Sequence, residues 1–174
     1  MLVALSLLVA IAIGARPARS GPRPPCTRPR IVVHKQRAEL ELVCDEGSRR
    51  YPVTFGAAPV GAKRRRGDER TPEGRYRITA KSAPTRFHRF LKVSYPNDDD
   101  RRRAQAAGVD PGGGIGVHGV RSSLAGIARL FIRAGRAVSG QAWGPTDGCV
   151  GMINEDVEEL YDLVPVGTEI VLQP

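Results

Sequence analysis

The sequence predicts a single domain of a mainly β fold, in the β-rich α+β class. The chain has 174 residues, and 41% of them are hydrophobic, which suffices for one core and leaves little for a second. Short segments that alternate hydrophobic with polar residues dominate its first half, as expected of strands with one buried face. Hydrophobic residues at helical spacing follow in the second half.

Each predicted element has its own signal. Strands are predicted at Arg30 to His34, Ala38 to Val43, Arg49 to Phe55, Arg75 to Thr79, Leu91 to Ser94, Ile115 to His118 and Thr168 to Leu172. Gly47 and Ser48 suit the turn of a hairpin. A basic amphipathic helix is predicted between Leu124 and Ala134. A second helix is predicted to begin with Asn154 as its N-cap and to end at Pro165.

The first 20 residues are predicted to be a secretory signal peptide or an N-terminal anchor. The run from Met1 to Ile13 is almost wholly apolar but short for a membrane span. Basic residues follow it and none precedes it, so both alternatives stay open. Either one places the rest of the chain in the periplasm or the cell wall. Residues 21–29 form a predicted linker rich in proline and arginine, and residues 30–174 form the predicted domain.

The chain is strongly basic, with a net charge of +9, and stays basic without its first 20 residues. In an exported protein such a charge favours anionic wall polymers or a membrane surface, and not nucleic acid. The densest runs, Lys63 to Arg66 and Arg101 to Arg103, are most simply solvated loops, and a functional role for them stays open. Asp98, Asp99 and Asp100 belong to the second predicted loop, and consecutive carboxylates do not converge readily on one metal ion.

A catalytic thiol is the main chemical hypothesis. Thr146-Asp147-Gly148-Cys149 is a turn that delivers one cysteine, and His118-Gly119 supplies a base earlier in the chain. A cysteine nucleophile reacts as a thiolate and needs a group that takes its proton. A cysteine and a histidine are also common as ordinary buried residues, so the surrounding motifs must decide whether this pair is catalytic. The glycine-rich stretch from Pro111 to Gly114 lacks the spacing of a phosphate or dinucleotide loop, and no cofactor or metal is expected.

The three cysteines allow one disulfide. In an oxidising compartment Cys26 and Cys44 are near enough in the chain to pair, which would leave Cys149 as the free thiol. Connectivity does not follow from sequence, so the alternative that both are unpaired stays open.

The order of the motifs resembles the L,D-transpeptidase catalytic domain of bacterial cell-wall enzymes. The motifs are Gly67-Asp68, Thr71-Pro72-Glu73-Gly74, Ser94-Tyr95-Pro96-Asn97, His118-Gly119 and Thr146-Asp147-Gly148-Cys149, and the likeness extends from about Ile31 to Leu172. The resemblance implies a mixed-sheet β-sandwich with peripheral helices. It also implies that the substrates are peptidoglycan stem peptides.

The resemblance assigns roles to individual residues. Cys149 would form a thioester with a stem tetrapeptide and release D-alanine, and an amine would then accept the acyl group. His118 would be the base, oriented by the carbonyl of Gly119. Backbone N–H groups of Asp147, Gly148 and Cys149 would form the oxyanion hole.

The chain departs from the family pattern in three ways. Asp147 stands where histidine is common, and Gly151 stands where arginine is frequent. The interval between His118 and Cys149 is also long. Recognition of substrate therefore needs other groups, and the candidates are Arg121, Arg129, Arg133 and Thr146.

Two other functions fit the same residues. Water could take the acyl group, which would make the protein an L,D-carboxypeptidase or an amidase. A non-catalytic, cationic wall-binding module is the second alternative, and Asp147 and Gly151 favour it. The acyl acceptor, the third residue of the stem peptide, β-lactam sensitivity and the oligomeric state do not follow from the sequence.

Overall fold

The computed structural model describes residues 25–120 and 146–174. The predicted leader and the predicted helix between Leu124 and Ala134 lie outside the described residues. No helix in the described ranges is long and apolar enough to cross a membrane.

The described part of the chain consists mainly of strands. They are β1 (Arg30–His34), β2 (Glu39–Cys44), β3 (Gly47–Pro52), β4 (Gly74–Thr85), β5 (His88–Val93), β6 (Gly116–His118), β7 (Val150–Gly151) and β8 (Glu169–Gln173). Two helices accompany them, α1 (Asp98–Ala106) and α2 (Asn154–Leu163). The predicted β-rich class is therefore confirmed.

The strands form one mixed sheet that curls into a half-barrel. Their order is β3-β2-β1-β8-β4-β5-β6-β7. The β1–β8 and β6–β7 pairs are parallel and the other pairs are antiparallel. β3 and β7 are the two edge strands of the sheet. Just after β3, Thr54 exchanges two backbone hydrogen bonds of 2.9 Å with Gly151 of β7, so the two edges are joined at this point.

The core lies on the concave side of the curled sheet and under α2. Alternate residues of β1 and β2 are buried, among them Ile31, Val33 and Leu40, because successive side chains of a strand point to opposite faces. Val157 and Leu160 of α2 are also fully buried. Each such side chain contributes about 1.5–3 kcal/mol to the free energy of unfolding.

Two local predictions are wrong. The run of three aspartates and three arginines forms α1 and not a loop, because Asn97 caps it and forms a capping box with Asp100. The hairpin between β2 and β3 turns at Asp45 and Glu46, two residues earlier than predicted. Gly47 follows that turn with a φ of +127°.

The start of the second helix also differs from its prediction. Ile153 occupies the N-cap of α2 and makes no side-chain cap. Asn154 is the first helical residue, and its Oδ1 accepts the N–H of Val120 at 2.8 Å. This asparagine therefore binds the chain directly after His118-Gly119.

A disulfide joins Cys26 to Cys44, with Cα atoms 5.1 Å apart. The bond links the segment before β1 to the end of β2, and the two cysteines are 18 positions apart in the sequence. Cys149 is the free cysteine of the described chain.

Candidate active site

The pairing of β6 with β7 places His118 and Cys149 on one face of the sheet. The two strands are parallel, with Val117 opposite Val150. Cys149 then lies opposite Gly116, two residues before His118. Since alternate residues share a face, the thiol and the imidazole point to the same side, and both valines fill the core on the other.

The imidazole of His118 is buried, with 6% of the residue exposed, and Gly119 sets its orientation. Nδ1 lies 2.6 Å from the carbonyl oxygen of Gly119. A carbonyl oxygen only accepts, so Nδ1 carries the proton and Nε2 carries the lone pair of the neutral ring. Burial lowers the pKa of His118, the bond to Gly119 opposes this effect, and the charge of Arg86 adds to it.

Two phenylalanine rings hold the imidazole in place. Phe90 is the partner of His118 in the β5–β6 register, and their rings are stacked with centroids 5.8 Å apart. The Phe87 ring lies closer, at 4.5 Å. A Cβ at Gly116 would meet the Phe90 ring at 2.4 Å, so Phe90 fills the space above this glycine.

Cys149 is half-buried, and its Sγ lies 3.5 Å from the carbonyl oxygen of Gly114. Burial raises the pKa of the thiol, and the negative charge of Asp147 raises it further. The N–H of Gly116 and the charge of Lys63 act in the opposite direction but are outweighed. The resting site therefore holds a thiol and a neutral imidazole at neutral pH.

The turn before Cys149 is closed by the hydroxyl of Thr146. Its Oγ1 donates to the carbonyl oxygen of Cys149 at 2.7 Å and accepts the N–H of Gly148 at 3.2 Å. Thr146, a predicted substrate-binding residue, thus has its hydroxyl engaged within the turn. In the described ranges the N–H groups of Asp147 and Cys149 make no hydrogen bond, so they are available to an anion.

Gly148 brings this turn against the loop that precedes β4. Its φ is +122°, and a Cβ there would lie 2.4 Å from the carbonyl oxygen of Arg70. Both the backbone conformation and the close approach require glycine at this position.

Steric contact with Thr54 explains why position 151 is a glycine. A Cβ there would lie 2.5 Å from the hydroxyl oxygen of Thr54, which occupies the space that a larger side chain would need. An arginine at this position is therefore incompatible with the present position of Thr54.

The loop around Asp68 packs against the cysteine turn, because the carbonyl oxygen of Arg70 lies beside Gly148. The carboxylate accepts a 2.8 Å bond from Lys63 and bonds from the N–H groups of Arg64, Arg65 and Arg70. Burial opposes ionisation of Asp68, but these bonds outweigh it and lower its pKa to about 2.

A cavity of about 500 Å³ lies between this loop and α1. Its lining is Lys63, Arg64, Arg65, Tyr95, Asp100, Arg103, Ala106, Ala107 and Val109. Lys63 pairs with Asp68, and Arg103 pairs with Asp100. Arg64 and Arg65 are exposed, and their side chains make no ion pair within the described residues.

The structure brings together some of the predicted site residues and leaves others undescribed. His118, Gly119 and the turn from Thr146 to Cys149 meet at the β6–β7 edge. Arg121, Arg129 and Arg133 lie outside the described residues. No group of three or more metal-ligating side chains occurs in the ranges that the structure describes.

Sequence reasoning missed Phe87, Phe90 and Asn154. Phe90 reaches His118 through the register of β5 with β6, and Phe87 reaches it through the turn of the β4–β5 hairpin; neither contact has a short-range signal. Asn154 resembled a helix cap and instead holds Val120.

Comparison with known proteins shows the family of the chain. The model of a family described as YkuD, L,D-transpeptidase catalytic domain, matches residues 28–172. A Bacillus subtilis (strain 168) protein named "Putative L,D-transpeptidase YqjB" is 27% identical over 151 residues, which cover 83% of this chain and 70% of that protein.

Solved structures share the fold. The helical cell shape determining protein Pgp2 of Campylobacter jejuni gives a TM-score of 0.57 at 21% identity, covering 83% of this chain and 46% of that chain. Bdellovibrio bacteriovorus Bd1075 gives 0.55 at 22%, covering 84% and 48%. An L,D-transpeptidase from Mycobacterium smegmatis gives 0.53 at 15%, covering 84% and 59%. The chain spans about half the length of the Pgp2 and Bd1075 chains.

Proposed function

Because the chain belongs to the YkuD family of L,D-transpeptidase catalytic domains, we propose that it is a peptidoglycan L,D-transpeptidase with Cys149 as nucleophile and His118 as base. One observation carries the proposal. The hydrogen bond from Nδ1 to Gly119 leaves the lone pair of the neutral ring on Nε2, on the sheet face that also carries the thiol.

The first step is acylation. Sγ attacks the carbonyl carbon of the bond before the terminal D-alanine, while Nε2 of His118 takes the thiol proton. The C–N bond then breaks, His118 returns the proton to the leaving amine, and a thioester remains on Cys149. A neutral pair suits this route, since the proton moves as the bond forms.

The N–H groups of Asp147 and Cys149 would face the oxyanion of the tetrahedral intermediate. The N–H of Gly148 is engaged by Thr146, so it would hold the turn in shape. This narrows the expected oxyanion hole from three donors to two.

The second step releases the acyl group. The nitrogen of an acceptor amine attacks the thioester carbon, His118 takes its proton, and the thiolate leaves and is reprotonated. Water in place of the amine would give a carboxypeptidase, so the acceptor alone separates the two reactions.

Export to the cell envelope is part of the proposal. The apolar N-terminal run and the basic charge support it, and the wall or its anionic polymers would then be the surroundings. Residues 21–29 would connect the leader or anchor to the domain.

The test is incubation of the full chain with purified disaccharide-tetrapeptide, followed by mass spectrometry of protein and products. We expect a thioester adduct on Cys149, release of D-alanine and cross-linked dimers. Cys149→Ser and His118→Gln should each reduce adduct formation at least 100-fold. Formation of tripeptide without dimers would show that the protein is a carboxypeptidase and not a transpeptidase. An unmodified protein with unchanged substrate would refute both reactions and favour the wall-binding module.

A further inference from the structure

We propose that Arg86, at the tip of the β4–β5 hairpin, binds the carboxylate of the amino acid that leaves in the first step. This inference rests on the proposed function. It assigns a leaving-group subsite to a residue that lies far in sequence from both His118 and Cys149.

The geometry is a stack of side chains that ends at the base. The guanidinium of Arg86 lies over the Phe87 ring, 4.6 Å from its centroid, and the Phe87 ring lies 4.5 Å from that of His118. The Phe90 ring also stacks on the imidazole, with centroids 5.8 Å apart. A cation held against an aromatic face is positioned without losing its hydrogen-bond donors.

Arg86 has no acidic partner within the described residues, although other arginines do. Arg49 pairs with Glu159, and Arg75 pairs with Glu169. Arg86 is exposed, so its fork of donors is open to a ligand. Its charge also reaches the buried imidazole and disfavours the protonated form of His118.

The reaction explains why a cation belongs at this place. The leaving nitrogen must come within hydrogen-bond distance of Nε2 to receive its proton. In a terminal amino acid, one carbon separates that nitrogen from the carboxylate, so the negative charge lies close to the imidazole. Arginine recognises a carboxylate through two parallel hydrogen bonds.

The first test needs no substrate. Iodoacetate and iodoacetamide alkylate the same thiol, but iodoacetate alone carries a carboxylate. We expect Arg86→Gln to lower the rate constant for iodoacetate at Cys149, relative to that for iodoacetamide, about fivefold. Arg77→Gln is the matched control, because it removes the same charge from an exposed position on β4, the strand that leads to the Arg86 turn. An unchanged ratio in Arg86→Gln, or an equal loss in the control, would overturn the proposal.

The second test uses tetrapeptides that end in free D-alanine or in D-alaninamide. We expect Arg86→Gln to lower kcat/KM about tenfold for the free acid, mainly through KM, and to leave the amide unaffected. Arg86→Lys should recover part of the loss. Equal losses on both substrates would refute the assignment.

The two tests separate the proposals. If neither peptide reacts with wild type, the proposed function fails, and the alkylation ratio still decides whether Arg86 attracts a carboxylate. A third readout is the titration of His118 by NMR. Removing the positive charge should raise the pKa of His118 in Arg86→Gln but not in Arg86→Lys, whereas lost packing would raise it in both variants. An unmoved titration in Arg86→Gln would contradict the placement.

Discussion

At the scale of single residues, burial keeps both reacting groups neutral. Burial raises the pKa of Cys149 and lowers that of His118, so both shifts disfavour an ion pair. In the proposed mechanism the proton therefore moves during attack, and this transfer requires the tautomer that Gly119 sets.

The pH dependence of acylation follows from these shifts. Only neutral His118 accepts the proton, so the rate constant should rise as pH increases through a pKa below the usual histidine value, and then stay level past neutrality. Thioester formation against pH checks this by rapid quench and mass spectrometry. A main rise that comes only above the usual cysteine pKa would show instead that preformed thiolate attacks.

The close approach at Gly148 predicts a specific loss in Gly148→Ala. The Cβ would meet the carbonyl oxygen of Arg70, so we expect destabilisation of about 2–4 kcal/mol and a loss of acylation. Gly167→Ala is the matched control, because its φ is +94° but nothing lies within 4 Å of the added Cβ. Urea unfolding compares the variants, and equal effects would mean that backbone strain alone matters.

At the scale of elements, loops that meet the strand ends hold the site. The loop from Lys63 to Arg70 folds around Asp68, and its end lies against Gly148. Asn154 at the start of α2 holds the chain after Gly119. Each contact joins segments that are distant in sequence.

Asp68→Asn should weaken this loop. Asp68 has a depressed pKa in the folded protein, so its contribution is present above the ordinary aspartate pKa and is lost as pH falls from about 4 to 2. We expect a loss of about 2 kcal/mol at pH 7 that vanishes near pH 2. Asp110→Asn, which removes an exposed pair with Arg66, should have a smaller effect. Urea unfolding at several pH values decides, and a pH-independent difference would contradict the argument.

At the scale of the whole molecule, one disulfide and a curled sheet hold the termini of the domain. β1 lies between β2 and β8, so the start and the end of the domain pair directly. The disulfide adds a covalent link from the segment before β1 to β2.

Replacing both Cys26 and Cys44 with serine should lower the free energy of unfolding by about 3 kcal/mol, because the unfolded chain gains freedom. Alkylation of Cys149 in the folded variant should be unchanged, since Cys149 is not part of the bond. Denaturant unfolding measures the loss. Three free thiols in denatured, unreduced wild type would show that the bond is absent.

The basic cavity predicts binding to anionic wall material. We expect Arg64→Gln combined with Arg65→Gln to weaken retention on isolated cell walls, and salt to weaken it further. Arg101→Gln combined with Arg102→Gln removes the same charge from arginines that pair with Asp98 and Asp99. Equal losses in the two double variants would indicate general charge attraction and not a site.

The sequence by itself determined the class of fold and most strand positions, and it singled out the thiol and the imidazole that are proposed to react. These depend on local periodicity, turn residues and the few side chains able to perform the reaction. It misread α1 as a loop, because the capping box that begins this helix forms only when Asn97 and Asp100 reach each other's backbone.

Only the tertiary structure decided what surrounds His118 and Cys149. The parallel register sets them on one face, the β5 register brings Phe90 to the imidazole, and a hairpin brings Arg86 and Phe87 beside it. Thr54 likewise explains Gly151 through a bridge between sheet edges. The physical reason is that pairing across a sheet joins residues of large sequence separation, and no local pattern records which partner a strand selects.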